Sequence, residues 1–428
     1  MVNFARNVLA LCLVSSLVAC GGSSSSGGNG KVNGGTDANN EHYISLSAIK
    51  YNSCTERPYS DLDIVFHGSD GKPVKSTKTN VQGAFYGPLP DGAKHVSLVA
   101  QNPAQIFTYL DVTPGTNLSR LYLADNTEAC VCRDVEVDFS DAAWAVDYFD
   151  VLDENMNSLD FPYTTKSATV EVCPSESEIY FLARNYSTQQ ALAAKIDVPL
   201  GVDKVSVNSS DFSHVGVKVA SPELEPGHYW QYSYAADESQ RMVFANWGDD
   251  AYIFPTMLKT NIVQRSHYSS ESIANTTVSL SAISAAVIDE NGNVANNPVP
   301  NLDMSLFQSF VGQSSPQRMA YDFTGIDPRF AMTGWRFEFR DNDGNLNSWR
   351  IYTALKDEIP DLSFGDVYPE PVGDVSLESF RIYLYGYEGA PTELNAYRKF
   401  ISNKPEKSVY SSERYQKPVW GLVNVRVQ

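Results

Sequence analysis

Apolar and polar residues alternate over short runs along most of this chain. Val135-Glu136-Val137-Asp138-Phe139, Ala168-Thr169-Val170-Glu171-Val172, Val215-Gly216-Val217-Lys218-Val219 and Arg381-Ile382-Tyr383-Leu384-Tyr385 all follow a period of two. That period sends successive side chains to opposite faces, the pattern of a half-buried strand. Asp63-Ile64-Val65-Phe66, Val96-Ser97-Leu98-Val99-Ala100, Glu178-Ile179-Tyr180-Phe181-Leu182, Thr277-Val278-Ser279-Leu280 and Trp335-Arg336-Phe337-Glu338-Phe339 add further strands. β-Branched and aromatic residues dominate these runs and pack well on a pleated surface. Two segments have helical character, Ser187 to Ala194 and Leu394 to Ile401.

Turn signals separate the strands: Ser69-Asp70-Gly71-Lys72, Asp289-Glu290-Asn291-Gly292-Asn293, Asp341-Asn342-Asp343-Gly344-Asn345 and, with Met in place of Gly, Asp153-Glu154-Asn155-Met156-Asn157. Asn-Gly and Asp-Gly tolerate the positive φ that tight hairpins need. Short strands between frequent turns predict a mainly β fold of tandem Ig-like or transthyretin-like β-sandwich domains. The acidic turns are not EF-hands, because Asp341-Asn342-Asp343-Gly344 puts Gly at the fourth position and not the sixth. We therefore assign no metal ligand.

The chain divides by composition. Residues 1–19 are a leader, 20–40 a Gly- and Ser-rich tether, 41–125 a first sandwich and 126–221 a second. The stretch Ser221-Pro222-Glu223-Leu224-Glu225-Pro226-Gly227 reads as a linker into 222–428, a β region of one or two domains. Within 41–125, Ile64-Val65-Phe66 leads to Asp70-Gly71-Lys72-Pro73-Val74, then Thr79-Asn80-Val81-Gln82-Gly83-Ala84-Phe85, Leu89-Pro90-Asp91-Gly92 and Val96-Ser97-Leu98-Val99-Ala100. This series resembles the transthyretin-like, carboxypeptidase-regulatory-like sandwich of bacterial surface proteins. The resemblance implies a non-catalytic accessory module and carries over no site residue.

Charge and cysteine usage narrow the setting. With 51 acidic against 32 basic residues the net charge is −19, and no basic cluster stands out. Nucleic acid and anionic membrane surfaces select for clustered Lys and Arg, so neither is an expected partner. Of the six cysteines, Cys12 lies in the leader and Cys20 follows it. Cys54, Cys130, Cys132 and Cys173 remain, an even number that suggests disulfides in an exported protein. A Cys130–Cys132 bridge on one strand is strained, which leaves Cys54 joined to one of these two and Cys173 to the other.

The leader supplies the address. Arg6 precedes the apolar run Val8 to Val18, which ends in Leu17-Val18-Ala19-Cys20 and is followed by Gly21-Gly22-Ser23-Ser24. The run is far shorter than the roughly 20 residues of a membrane-spanning helix and fits an export signal. Leu17-Val18-Ala19-Cys20 resembles the lipobox of bacterial lipoproteins. That resemblance implies cleavage before Cys20, lipidation of Cys20 (palmitate among its acyl chains), and attachment to the membrane through lipid. Gly21, in place of Asp, resembles outer-membrane sorting. The expected setting is the bacterial cell envelope, on the periplasmic or exposed side of the outer membrane.

Signatures of catalysis are sparse. The six histidines form no His-Glu-x-x-His motif, and there is no Gly-x-Ser-x-Gly elbow, Walker loop or dinucleotide turn. Ser47-Ala48-Ile49-Lys50 matches Ser-x-x-Lys, but Tyr43 to Tyr51 alternates like a strand and has no Ser-Asp-Asn or Lys-Thr-Gly companion. Paired carboxylates such as Asp249-Asp250 lack any sign of a partner across a cleft. No catalytic residue and no cofactor is assigned. Aromatics supply the candidate binding residues: Trp230, Tyr232 and Tyr234 share one face of a strand, and Tyr383, Tyr385 and Tyr387 share another. Such platforms stack on sugars or anchor proteins. The expected role is non-enzymatic binding, scaffolding or surface attachment toward an envelope protein or surface glycan. A carbohydrate-binding or carbohydrate-active module is the alternative.

Overall fold

The computed structural model describes residues between 43 and 427, apart from segments of which the longest are 237–251, 306–318 and 403–417. The leader, Cys20, Cys54, Cys130, the Asp249-Asp250 pair and the Asp341-Asn342-Asp343 turn lie outside the described residues. The fold is mainly β, in several sheets packed as sandwiches.

The first unit contains β1 (Tyr43–Tyr51), β2 (Glu56–Pro58), β3 (Asp63–His67), β4 (Pro73–Lys78), β5 (Ala84–Pro88), β6 (His95–Ala100), β7 (Gln105–Tyr109) and β8 (Asn117–Ala124). One layer is β2-β1-β5 with β8 parallel on the other edge of β1; the facing layer is β4-β3-β6-β7. Alternation directs Ile44, Leu46, Ala48, Ile64, Phe66, Leu98 and Phe107 into the shared core. Thr79 and Asn80 build the corner before β5. Thr79 Oγ1 accepts the Leu62 amide at 3.0 Å and donates to the Tyr59 carbonyl, while Asn80 Oδ1 accepts the amides of Gln82 and Ala84. Ser47 and Lys50 both lie on β1, a strand, where a spacing of three puts them on opposite faces. Ser-x-x-Lys chemistry has no helix to act from there.

The second unit contains β9 (Arg133–Asp138), β10 (Tyr148–Leu152), β11 (Ser158–Pro162), β12 (Ser167–Val172), β13 (Glu178–Asn185), β14 (Gln190–Asp197), β15 (Lys204–Ser206) and β16 (His214–Val215). Sheets β12-β9-β15 and β11-β10-β13-β14-β16 enclose Val135, Val137, Val170, Val172, Ile179 and Phe181. A disulfide joins Cys132 to Cys173, so of the two partners open to Cys173 the structure selects Cys132. Leu152 pairs with Ser158 at the end of the antiparallel β10–β11 ladder, and 153–157 lie outside the described residues. The helix expected over Ser187 to Ala194 is corrected. Residues 186–189 lie outside the described residues, and Gln190–Asp197 is β14, paired antiparallel with β13 from Asn185↔Gln190 to Glu178↔Asp197. Its alanines suit a helix by propensity, but Ala191, Ala193 and Ala194 are buried between layers where small side chains fit, and sheet pairing wins.

The remaining elements are β17 (Val217–Lys218), β18 (His228–Ala236), β19 (Tyr252–Ile253), β20 (Thr260–Ile273), β21 (Thr276–Ile288), β22 (Met319–Asp322), β23 (Phe330–Arg340), β24 (Leu346–Thr353), β25 (Lys356–Ile359), β26 (Ser376–Tyr387), the helix α1 (Leu394–Ser402) and β27 (Pro418–Val427). The helix read over Leu394 to Ile401 is present as α1. β20 and β21 form a long hairpin, and the sheet order runs β18-β20-β21-β27-β26-β23-β24. This sheet then continues through a parallel pairing of β24 with β7 into β6, β3 and β4, giving eleven strands. The outer layer of the first unit and the C-terminal sheet are thus one hydrogen-bonded surface.

One face of the C-terminal strands carries the largest core. Trp335, Ile351, Ile382, Leu384, Val419 and Val423 pack beneath Leu302, Tyr321, Phe323, Leu362 and Phe364. Polar groups pin the junction with the first unit. His67 Nε2 lies 2.8 Å from Ser97 Oγ, which lies 2.8 Å from Thr108 Oγ1, and Trp349 Nε1 donates to Thr108 Oγ1 at 2.9 Å. The Gly71 turn docks at the same junction: its φ is +78°, and a Cβ there would fall 2.2 Å from the Asp361 carbonyl oxygen, so both the turn and the close approach require glycine. At the turn after β21, Asp289 Oδ1 accepts the amides of Asn291 and Asn293, both at 2.9 Å, so the carboxylate serves the turn itself.

Candidate ligand-binding site

The opposite face of the same strands forms a cleft of about 210 Å³. Its floor follows from the period of two. Where Trp335, Ile351 and Ile382 align and face the core, their neighbours Arg336, Arg350 and Arg381 align on the other face, as do Gly334, Tyr352 and Tyr383 one pair further on. Tyr109 of β7 is the parallel partner of Tyr352, and a register shift between Phe330 and Met332 sets Tyr385 opposite Met332.

The tyrosines form a continuous row across the strands. Ring centroids are 5.1 Å apart for Tyr109 and Tyr352, 6.4 Å for Tyr352 and Tyr385, and 5.9 Å for Tyr385 and Tyr383. The row crosses β23 at Gly334. A Cβ there would fall 2.8 Å from Tyr385 Cε2 and 3.4 Å from Tyr352 Cδ1, so the missing side chain is what lets both rings lie over the strand. Tyr109, Tyr352, Tyr383 and Tyr385 are all half-buried.

Two elements wall the cleft: β8 contributes Arg120 and Tyr122, and α1 contributes Tyr397, Arg398 and Ile401, with Trp420 of β27 at the end. The spacing of Leu394, Tyr397, Arg398 and Ile401 puts them on one helix face. Glu393 caps the helix start, its carboxylate accepting the amides of Asn395 and Ala396. Arg398 fixes the helix to the sheet, donating to the Leu110 carbonyl at 2.8 Å and the Tyr352 carbonyl at 3.1 Å. Its burial lowers the guanidinium to about 10.

Among the described residues the lining includes Arg120, Arg336, Arg350 and Arg398 and no Asp or Glu, in a chain of net charge −19. Arg336 is paired with Glu338 at 2.7 Å. Glu338 also accepts from Ser379 Oγ at 2.6 Å and lies 3.5 Å from Arg381. Burial would raise this carboxylate, but the Ser379 hydrogen bond and the surrounding arginines hold it below its usual range. Arg350 stands over the Phe107 ring, 5.1 Å from its centroid. Burial alone would lower its guanidinium, yet the phenol oxygens of Tyr352, Tyr383 and Tyr385 hold it above its usual value. The result is a row of tyrosine rings, two pairs stacked and the middle two tilted by 42°, beside a cationic group.

A second polar cluster lies under α1. Lys94 pairs with Asp111 at 2.9 Å, the Asp111 amide donates to His95 Nδ1 at 3.1 Å, and Thr353 donates to Asp357 at 2.8 Å. Burial drops His95 to about 4 and raises Asp357, whose charge is opposed by Asp111. No group of three or more His, Cys, Asp or Glu with a metal-binding arrangement occurs among the described residues.

Of the residues singled out by sequence, Tyr383, Tyr385 and Tyr387 line the cleft, Tyr387 being the most buried, beside Tyr397 and Ala331. Trp230, Tyr232 and Tyr234 lie on β18, where Trp230 is opposite Arg265 and Tyr232 opposite Gln264, with a register shift between them. Their side chains are outside the described residues. Arg336, Arg350, Tyr352, Tyr109 and Arg398 were not singled out. The alternation Ser348-Trp349-Arg350-Ile351-Tyr352 is a signal for the Arg350 and Tyr352 face, but nothing local brings Tyr109 beside it.

No family model matches the chain, and no curated protein matches it. Among solved structures, a tetra-tandem repeat from the extending region of a large adhesion protein aligns over 82% of this chain and 96% of its own, at 8% identity and a TM-score of 0.10. At that score the likeness carries no argument.

Proposed function

We propose that this chain is a lipid-anchored cell-envelope protein with a non-enzymatic binding role, and that its cleft holds a sugar ring. The anchor reading is supported by Leu17-Val18-Ala19-Cys20 and the tether behind it. The resemblance of 41–125 to a transthyretin-like accessory module supports a non-catalytic task at the outer membrane.

The row Tyr109, Tyr352, Tyr385 and Tyr383 is the observation that carries the binding reading. Half-buried tyrosine rings with hydroxyl edges offer both apolar contact to the C–H groups and hydrogen bonds to the hydroxyl rim of a pyranose. Size favours a small ligand, because the cleft encloses about 210 Å³. That volume is also below the roughly 300–1,000 Å³ of sites for drug-sized ligands, which suits one sugar unit at the end or side of a longer glycan.

Two experiments test the two halves. Metabolic labelling with an alkyne-tagged fatty acid should mark the wild-type chain and not Cys20→Ser, which should leave the membrane fraction. Titration of the purified chain with neutral and acidic oligosaccharides, followed by tyrosine and tryptophan fluorescence, should saturate for at least one sugar and be abolished by Tyr385→Ala. An unlabelled wild-type chain refutes the anchor, and a flat titration across all sugars refutes the binding site.

A further inference from the structure

Resting on the sugar-binding reading above, we propose that the sugar is acidic, a carboxylate-bearing pyranose of the uronic-acid class whose carboxylate meets Arg350.

Among the described residues on the cleft, Arg336 has the carboxylate of Glu338, Arg398 has the carbonyls of Leu110 and Tyr352, and Arg120 reaches the Tyr122 hydroxyl at 3.4 Å. Arg350 makes no ion pair among the described residues: its Nε, like those of Arg336 and Arg398, is buried without a hydrogen-bond partner, and the hydroxyl of Tyr352 and its tyrosine neighbours face its charge. Glu338 feels the charge of Arg350 but is engaged by Arg336, Ser379 and Arg381. A ligand carboxylate accepting two parallel N–H bonds would give this guanidinium the charge-assisted partner that no protein carboxylate supplies among the described residues. Arg350 sits on β24 over the Phe107 ring, with Tyr352, Tyr383 and Tyr385 near enough to act on its charge, so a pyranose held against this row can turn a ring carboxylate toward the guanidinium. The net charge of −19 repels polyanions at long range, so affinity for an acidic glycan has to arise from local contacts of this kind.

The test uses the full chain purified in detergent. The probes are trimers of galacturonate, glucuronate and mannuronate, each beside its neutral methyl ester, with maltotriose, cellotriose and xylotriose as neutral sugars. The expected result is at least one acid bound tenfold or more tightly than its ester, a preference removed by Arg350→Met. Should Arg350→Met fail to fold, Arg350→Lys keeps the charge without the planar fork and should cut the preference several-fold. Equal binding of acid and ester, or preference for neutral sugars, overturns the acidic assignment and leaves the sugar reading standing. A preference that survives in Arg350→Met overturns the role of Arg350. Absence of binding to every probe overturns both.

Discussion

The Cys132–Cys173 bridge offers the sharpest test of how the second unit is held together. Arg133 pairs with Val172 at the end of the β9–β12 ladder, so the bridge closes the next rung beyond the last hydrogen-bonded pair. The native strands already hold these two ends together, and the bridge therefore acts mainly on the unfolded chain. For a sequence separation of 41 residues, the loop-entropy expression gives about 4 kcal/mol. At about 1.4 kcal/mol per factor of ten, that corresponds to roughly a thousandfold change in the opening equilibrium. Cys132→Ser with Cys173→Ser should therefore lower amide-exchange protection in β9, β12 and β13 by about three decades, read by mass spectrometry. Strands β20, β21 and β27 should keep theirs, because their core of Val278, Leu280, Val419 and Val423 is separate from that of the second unit. A change below tenfold in β9 and β12, or an equal loss across both regions, would refute the argument.

Acid should destabilise the junction beneath α1. His95 has a folded value of about 4 against 6.5 unfolded, so its contribution is complete above 6.5 and is lost as pH falls through the window toward 4. At 1.36 kcal/mol per pH unit the loss is about 3 kcal/mol; His67 is lowered too and acts in the same direction, while Asp357, raised, acts against both. Urea midpoints at pH 7.5 and 4.5 should differ for the wild type and differ much less for His95→Gln; equal slopes would count against it. Gly334→Val should weaken sugar binding at least tenfold by displacing Tyr385, with little change in the far-ultraviolet circular dichroism spectrum; unaltered binding would remove the tyrosine row from the site. Trp335 is 1% exposed and packs on Tyr321, Phe323 and Phe337, so Trp335→Ala should cost about 3–5 kcal/mol in urea unfolding.

The strands were legible because alternation is a local property. Val135, Val137, Val170 and Val172 are inward on β9 and β12 as their period of two predicts, and Leu394, Tyr397 and Arg398 are buried on the one helix read correctly. Gln190–Asp197 was not legible. Its alanines carry a helical preference worth only tenths of a kcal/mol per residue, and the partner that overrides it, β13, supplies a full ladder of backbone bonds. Cys173 was legible as half of a disulfide, while the choice of Cys132 waited on the register that sets β9 against β12.

The candidate site divides in the same way. The sequence by itself determined that Tyr383 and Tyr385 share a face, that Arg350 and Tyr352 share a face, and that the chain is acidic. Tertiary structure decided that these two faces are one face, through the β23–β24 and β23–β26 registers. It also decided that Tyr109, 243 residues before Tyr352, completes the row, through a parallel pairing that joins the first unit to the C-terminal sheet. Periodicity reports which way a side chain points from its own strand. Which strand lies alongside is settled by the shared core of Trp335, Ile351 and Ile382, whose burial is a property of the assembled sheet and of no single segment.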